Sequence, residues 1–116
     1  MKVKVTKAPL YTFIFNDKAA GWTKDETRNK TFLLQQQNYA NEKLKFRGYL
    51  FLNDVLDMLG IPRTRAGQVV GWIYDPSNTE IDSFVDFGLY QENPHKALNG
   101  GIVLNFNVDG NVLDNI

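Results

Sequence analysis

"LNDVLDMLGIPRTRAGQVVGW", residues 52–72, is the stretch whose reading decides the fold. Asn53 stands where a helix N-cap is expected, before Asp54–Leu59, with Asp54 and Asp57 near the positive end of the helix. Gly60 is a stop in the left-handed conformation. A second short helix is expected from Pro62 or Arg65 to Val70, and Gly71 then releases the chain into a strand that begins at Trp72. Two short helices around a glycine could be a DNA-reading helix-turn-helix, with Arg63, Arg65 and Gln68 facing the groove. Three features oppose that. Leu56 occupies a position, four before the turn glycine, where a small side chain is usual. Gly67 would weaken a recognition helix by ~1 kcal/mol relative to alanine. The chain has thirteen basic and thirteen acidic side chains, whereas a DNA module is usually basic on one face. The segment reads as scaffold.

Outward from it, both flanks carry recognisable patterns. Upstream, "KVKVT" (2–6) alternates Val3 and Val5 with polar residues, as an edge strand does, and "LYTFIF" (10–15) places Tyr11, Phe13 and Phe15 on one side of a second strand. Asn16–Gly21 is a turn region. "TKDE" (23–26) has the spacing of a capping box, with a helix beginning at residue 24 or 31. That helix repeats Phe32, Tyr39 and Phe46 every seven residues beside Leu33, Ala40 and Leu44, so both rows are expected inward, with Gln35, Gln36, Asn41, Glu42 and Lys45 in water. Gly48 ends it, and "YLFL" (49–52) is a short strand.

Downstream, "DPSN" (75–78) is a turn and "FVDFGLY" (84–90) alternates like a strand, with Val85, Phe87 and Leu89 on its inner face. "IVLNFNVDGNVLDNI" (102–116) carries Asp109-Gly110 between alternating runs, the signature of a two-residue type I′ hairpin turn with positive φ at both residues. The same stretch has Asn105, Asn107, Asp109 and Gly110 at the spacings of a calcium loop. Its twelfth position, however, is Ile116 rather than a bidentate glutamate, and the hairpin is preferred. The expected architecture is α+β: a single domain over 1–116, with one long helix and two short helices on a mostly antiparallel sheet.

Chemistry is sparse in the sequence. The absence of cysteine removes disulfides, thiolate zinc sites and thiol nucleophiles, and fits a reducing cytoplasm. The N-terminal apolar run is broken by Pro9 and Thr12, and no stretch approaches the ~20 apolar residues of a membrane span. His95, the sole histidine, lies in the polar stretch "QENPHKALNG". Ser77 and Ser83 precede it without the surrounding motif of an activated nucleophile. Asp82 and Asp86 share a strand face and could hold a metal or act as an acid–base pair, but solvent-facing acids are the simpler reading. No catalytic residue, metal or cofactor is assigned.

Recognition chemistry remains. Arg63, Arg65, Gln68, Trp72 and Tyr74 form a candidate partner surface, aromatics and arginine being enriched at binding hot spots; the competing reading places Trp72 in the core. Charge is unevenly divided, with ten Lys/Arg against four acids in 1–47 and three against nine in 48–116. Between Trp72 and His95 there is no Lys or Arg, while Asp75, Glu80, Asp82, Asp86 and Glu92 accumulate.

"RGYLFLNDVLDMLGIPRTRAGQVVGWIYDP", "DSFVDFGLY" and "LNFNVDGNVLD" resemble small uncharacterised proteins of phages, prophages and conjugative elements of Gram-positive bacteria, over residues 47–116. The resemblance implies a shared fold and a mobile-element origin, and brings no catalytic residue or cofactor with it. The expectation is a cytoplasmic, non-enzymatic interaction or accessory protein with a protein partner. It would be mostly monomeric, with at most weak, salt-sensitive self-association through the Val3/Val5 strand or the opposed charges. Nucleic-acid binding through the 53–71 segment is the alternative.

Overall fold

The computed structural model describes residues 11–89 and 101–116. The expected Val3/Val5 strand and His95 lie outside them. Within them the protein is α+β, with two small antiparallel sheets. β1 (Tyr11–Phe15) pairs with β4 (Ile102–Phe106) in the register Phe13↔Leu104 and Phe15↔Ile102. β2 (Tyr49–Phe51), β3 (Val70–Ile73) and β5 (Gly110–Asn111) form the second sheet, with β3 central. The β1 alternation holds: Phe15 is buried, Tyr11 and Phe13 half-buried, Thr12 and Ile14 exposed.

The long helix α1 spans Glu26–Arg47. Its N-cap is Asp25, not Thr23. The Asp25 carboxylate accepts from the backbone N–H groups of Thr27 and Arg28, at 3.0 and 3.2 Å, satisfying two donors that the first turn leaves open. Thr23 serves instead to clamp Asn29, whose buried amide accepts from the Thr23 N–H and donates to the Thr23 carbonyl, both at 2.9 Å. Gly48, at φ 86°, closes the helix as expected.

The buried stripe of α1 is Asn29, Leu33, Ala40 and Leu44. The heptad row Phe32–Tyr39–Phe46 is not part of it. Phe32 is half-buried against Phe15, Tyr39 is 55% exposed and Phe46 91% exposed. The two rows differ by one residue, which is ~100° around a helix with 3.6 residues per turn, enough to carry a side chain from core to solvent.

α2 covers Leu52–Leu59 and buries Leu52, Val55, Leu56 and Leu59. Asn53 is inside it rather than capping it. Its first turn is instead tied by the Asp54 carboxylate, which accepts from the Phe51 N–H at 3.1 Å. Gly60 ends the helix at φ 72°. The expected second helix is shortened to a single 3₁₀ turn, Ala66–Gln68, which residues 61–64 reach without regular structure. The Asn53 amide causes this by pairing with both backbone groups of Thr64, at 2.9 Å each. The Thr64 hydroxyl then accepts from the Gly67 N–H. A Cβ on residue 67 would overlap the Asn53 amide, so glycine is required there by contact.

Two further expectations fail. Residues 84–89 form no strand, although Val85 and Phe87 are buried as their alternation predicts. Asp109-Gly110 is not a type I′ turn. Gly110 has φ 133°, Asp109 is not among the residues with positive φ, and the flanking strands β4 and β5 belong to different sheets. Residues 107–109 therefore carry the chain from one sheet to the other. A common core joins the sheets and helices: Phe106 meets Phe13, Trp72 and Phe87 at ring-centroid distances of 5.5, 6.3 and 5.2 Å.

Candidate functional site

The five residues expected to form a partner surface are split by the fold. Trp72 is fully buried, and its indole N–H donates to Asn107 Oδ1 at 2.8 Å. Tyr74 is half-buried and packs against the core. Arg63, Arg65 and Gln68 are exposed. Arg63 is engaged by Asp57 through two hydrogen bonds of 2.8 and 2.6 Å, which hold the Asp57 carboxyl below the usual carboxylate range. Arg65 precedes the 3₁₀ turn and Gln68 is its last residue, so no recognition helix presents them.

The acids singled out in the sequence converge on one asparagine. Asn107 accepts from the Trp72 indole and from the Asp86 N–H (2.7 Å), and donates to Asp82 Oδ2 (3.0 Å) and the Phe84 carbonyl (2.9 Å). Asp86 in turn accepts from the Gly88 N–H at 2.8 Å. Asp82 and Asp86 thus organise an irregular segment. Ser77 donates to Asp75, and the Ser83 hydroxyl accepts from the Asp75 N–H, closing a loop over 75–83. Ser83 sits at φ 58°, an uncommon conformation for a residue with a side chain.

Asp109 is the electrostatic outlier. Burial pushes its carboxyl up to about 6, opposed by the hydrogen bond it accepts from the Ile73 N–H (2.9 Å) and reinforced by the Asp82 charge. A raised carboxyl in a cleft would suggest acid–base chemistry. Asp109 does not line the shallow cleft of about 320 Å³ formed by Ile73, Asp75, Asn78, Ile81, Asp114, Asn115 and Ile116. That cleft and the perturbed acid are separate, and the bond from the Ile73 N–H gives Asp109 a tethering role. Among the described residues no three His, Asp or Glu side chains group as metal ligands.

The surface that the sequence reading missed is on α1. Tyr39 and Phe46 lie one heptad apart and exposed, with Glu42 and Lys43 between them and Lys45 turned toward the Asn41 side of the helix. Neither lysine enters an ion pair among the described residues, whereas Arg47 lies 3.9 Å from Asp54 and over the Tyr49 ring. The heptad was visible in the sequence, but its orientation was not. No described helix is long and apolar enough to cross a membrane.

The chain belongs to a family of unknown function, DUF6353, whose profile matches residues 1–116, extending beyond the 47–116 span of the resemblance seen in the sequence. No curated protein and no solved structure matches it.

Proposed function

We propose that this protein is a non-enzymatic interaction or accessory protein that docks a protein partner through the aromatic face of α1. The observation that carries this reading is Phe46, 91% exposed on a helix whose other flank is fully packed. A large aromatic left in water beside a second one is a usual mark of a binding surface, since such side chains bury 150–250 Å² when covered. The reading assigns no cofactor, because Asp82, Asp86, Ser77 and Ser83 each hold a backbone or side-chain partner in the loop they build. The resemblance of residues 47–116 to proteins of phages and conjugative elements supports an accessory role in such an element, and the cysteine-free sequence suits the cytoplasm.

A photo-crosslinking residue placed at position 46, with exposed Lys24 as control site, tests the reading in cells that express the protein. One dominant crosslinked protein at 46, absent at 24, is expected. Exposed Arg65 and Gln68 keep nucleic-acid binding as the competing reading. Micromolar binding to DNA or RNA that weakens steeply with salt and depends on Arg65 would replace the first reading with the second.

A further inference from the structure

We infer that the cleft between the end of β3 and the chain after β5 receives the arginine side chain of a partner protein, on a face to which α1 contributes no residue. Segments distant in sequence build it. Ile73 closes β3 and Asp75 follows it, Ile81 comes from the next loop, and Asp114 and Ile116 come from the turn after β5. At about 320 Å³ the cleft lies at the small end of ligand sites, with room for one side chain. Its lining is of two kinds. Ile73, Ile81 and Ile116 supply apolar surface, Ile116 being 60% exposed. Asp75 and Asp114 supply two carboxylates, and no Lys or Arg stands among the lining residues. Neither 72–89 nor 101–116, the stretches that build the cleft, contains one.

Both carboxylates are held in place by the chain itself. Asp75 Oδ1 accepts from the Ser77 hydroxyl at 2.6 Å, and the Asp75 N–H donates to Ser83 Oγ at 3.0 Å. Asp114 Oδ2 accepts from the Asn111 amide at 3.1 Å, and the Asp114 N–H donates to the oxygen of that amide at 3.0 Å. Each carboxylate keeps one oxygen, Asp75 Oδ2 and Asp114 Oδ1, with no hydrogen-bond or ion-pair partner among the described residues. A matching occupant donates hydrogen bonds, carries positive charge and covers apolar carbon. Arginine does all three: its planar fork of N–H donors serves more than one oxygen, and its stem lies along apolar side chains. A lysine ammonium brings the charge without the fork and is more strongly hydrated. Phosphate groups are repelled by both acids. Arg47 does not fill the cleft: it sits over the Tyr49 ring, opposite Ile73 in the β2–β3 pair, and against Asp54. The cleft is shallow, so a free small ligand would leave much of its surface in water, whereas ligand pockets bury 70–90%. A side chain carried by a larger partner does not depend on the cleft alone.

Amide NMR shifts of the full chain, titrated at low salt with acetyl-Gly-Arg-Gly-amide, test this. Saturable shifts should centre on Ile73, Asp75, Ile81 and Asp114, with a dissociation constant of about 1 mM or below, as suits a single exposed anchor. The citrulline peptide, which keeps the shape and loses the charge, should bind at least about tenfold more weakly, and the lysine peptide should also bind more weakly. Asp75→Asn and Asp114→Asn should each weaken the arginine peptide about tenfold, the effect of losing one charged hydrogen bond. Both sites are exposed, and asparagine keeps an oxygen for the Ser77 or Asn111 donor, so melting curves should stay close to wild type. Unchanged affinity in either variant would overturn the proposal, as would a lysine peptide that binds as well as the arginine one. Shifts spread evenly over Glu80, Asp82 and Asp86 would overturn it as general attraction to acids. No saturation at about 10 mM peptide would overturn it too. Agmatine bound more tightly than the peptide would replace the partner's side chain with a free small molecule. Crosslinking at position 46 reads a different face, so either proposal can fall while the other stands.

Discussion

Residues 11–15 and 84–89 have the same alternating pattern of apolar and polar side chains, and they fold differently. The first becomes β1, whose backbone is satisfied by the β4 ladder. The second buries Val85 and Phe87 on the expected side, yet side chains provide most of its backbone partners. Val85 and Phe87 donate to the amide oxygens of Asn41 and Gln37, and Asp86 donates to that of Asn107. Only two backbone contacts reach it from the end of β4, Asn105 N–H to the Phe87 carbonyl and Asn107 N–H to that of Asp86. Hydrophobic period therefore reports which side is buried, and leaves open what satisfies the backbone.

The largest consequence of that difference falls on Asn107. A ladder built from backbone survives the loss of one side chain, whereas this amide joins four groups. Asn107→Ala leaves the buried Trp72 indole N–H and the Asp86 N–H without acceptors, at roughly 1–3 kcal/mol each. A loss of about 4 kcal/mol in urea unfolding is expected, with Asn107→Asp retaining part of it by keeping an acceptor. A loss below about 1 kcal/mol would mean that residues 84–89 are held by core packing alone.

Asp109 sharpens the comparison through pH. It too replaces strand pairing, tying Ile73 at the end of β3. Its folded carboxyl titrates near 6, above the usual value of 3.8. Below pH 3.8 both folded and unfolded states hold the proton. As pH rises from there to 6, the unfolded chain releases it first, so stability falls across that window and the full cost applies above 6. Two units correspond to about 3 kcal/mol. Asp109→Asn keeps an oxygen for the Ile73 N–H and removes the buried charge. It should be more stable than wild type at pH 7.5, by up to that amount, and equal to it near pH 3.5. A variant less stable than wild type at both pH values would show that the ionised carboxylate strengthens the tether by more than its burial costs.

The parts of the fold legible in the sequence are those decided locally. Gly48 and Gly60 end their helices because a left-handed residue ends a helix wherever it stands, and Tyr11–Phe15 shows its buried side by its period. The errors arose where a distant partner overrode a local preference. Asp109-Gly110 favours a hairpin, but β4 gains its partner from β1, some ninety residues earlier, and Asp109 is drawn to Ile73. Pro62–Val70 could be helical on its own, until the Asn53 amide takes both backbone groups of Thr64. Tyr39 and Phe46 were assigned inward because seven-residue spacing marks a face without saying which way it points. For the candidate site the same ambiguity hid the exposed aromatics, and Trp72 stayed open between surface and core because its indole partner, Asn107, is 35 residues away.

The smallest effects test the contrast from its other side. Thr12 and Asn105 make a 2.9 Å side-chain hydrogen bond across the β1–β4 pair, on the exposed face. Asn41 makes hydrogen bonds of nearly the same length to Val85, partly buried. Geometry alone would rank them alike. Solvent ranks them differently: water replaces what Asn105 loses in Thr12→Ala, and cannot freely reach the Val85 N–H in Asn41→Ala. Thr12→Ala should stay within about 0.5 kcal/mol of wild type, as surface substitutions do. Asn41→Ala should cost about 2 kcal/mol for the donor and acceptor left unpaired. Hydrogen exchange separates the two more finely than the melting curve does. Thr12→Ala should leave the β1–β4 amides protected, because backbone holds backbone there, whereas Asn41→Ala should speed exchange at Val85 while β1 remains unchanged. Equal exchange in both regions would mean that the amide tethers and the ladder open together, and the distinction between them would be one of pattern without energetic content.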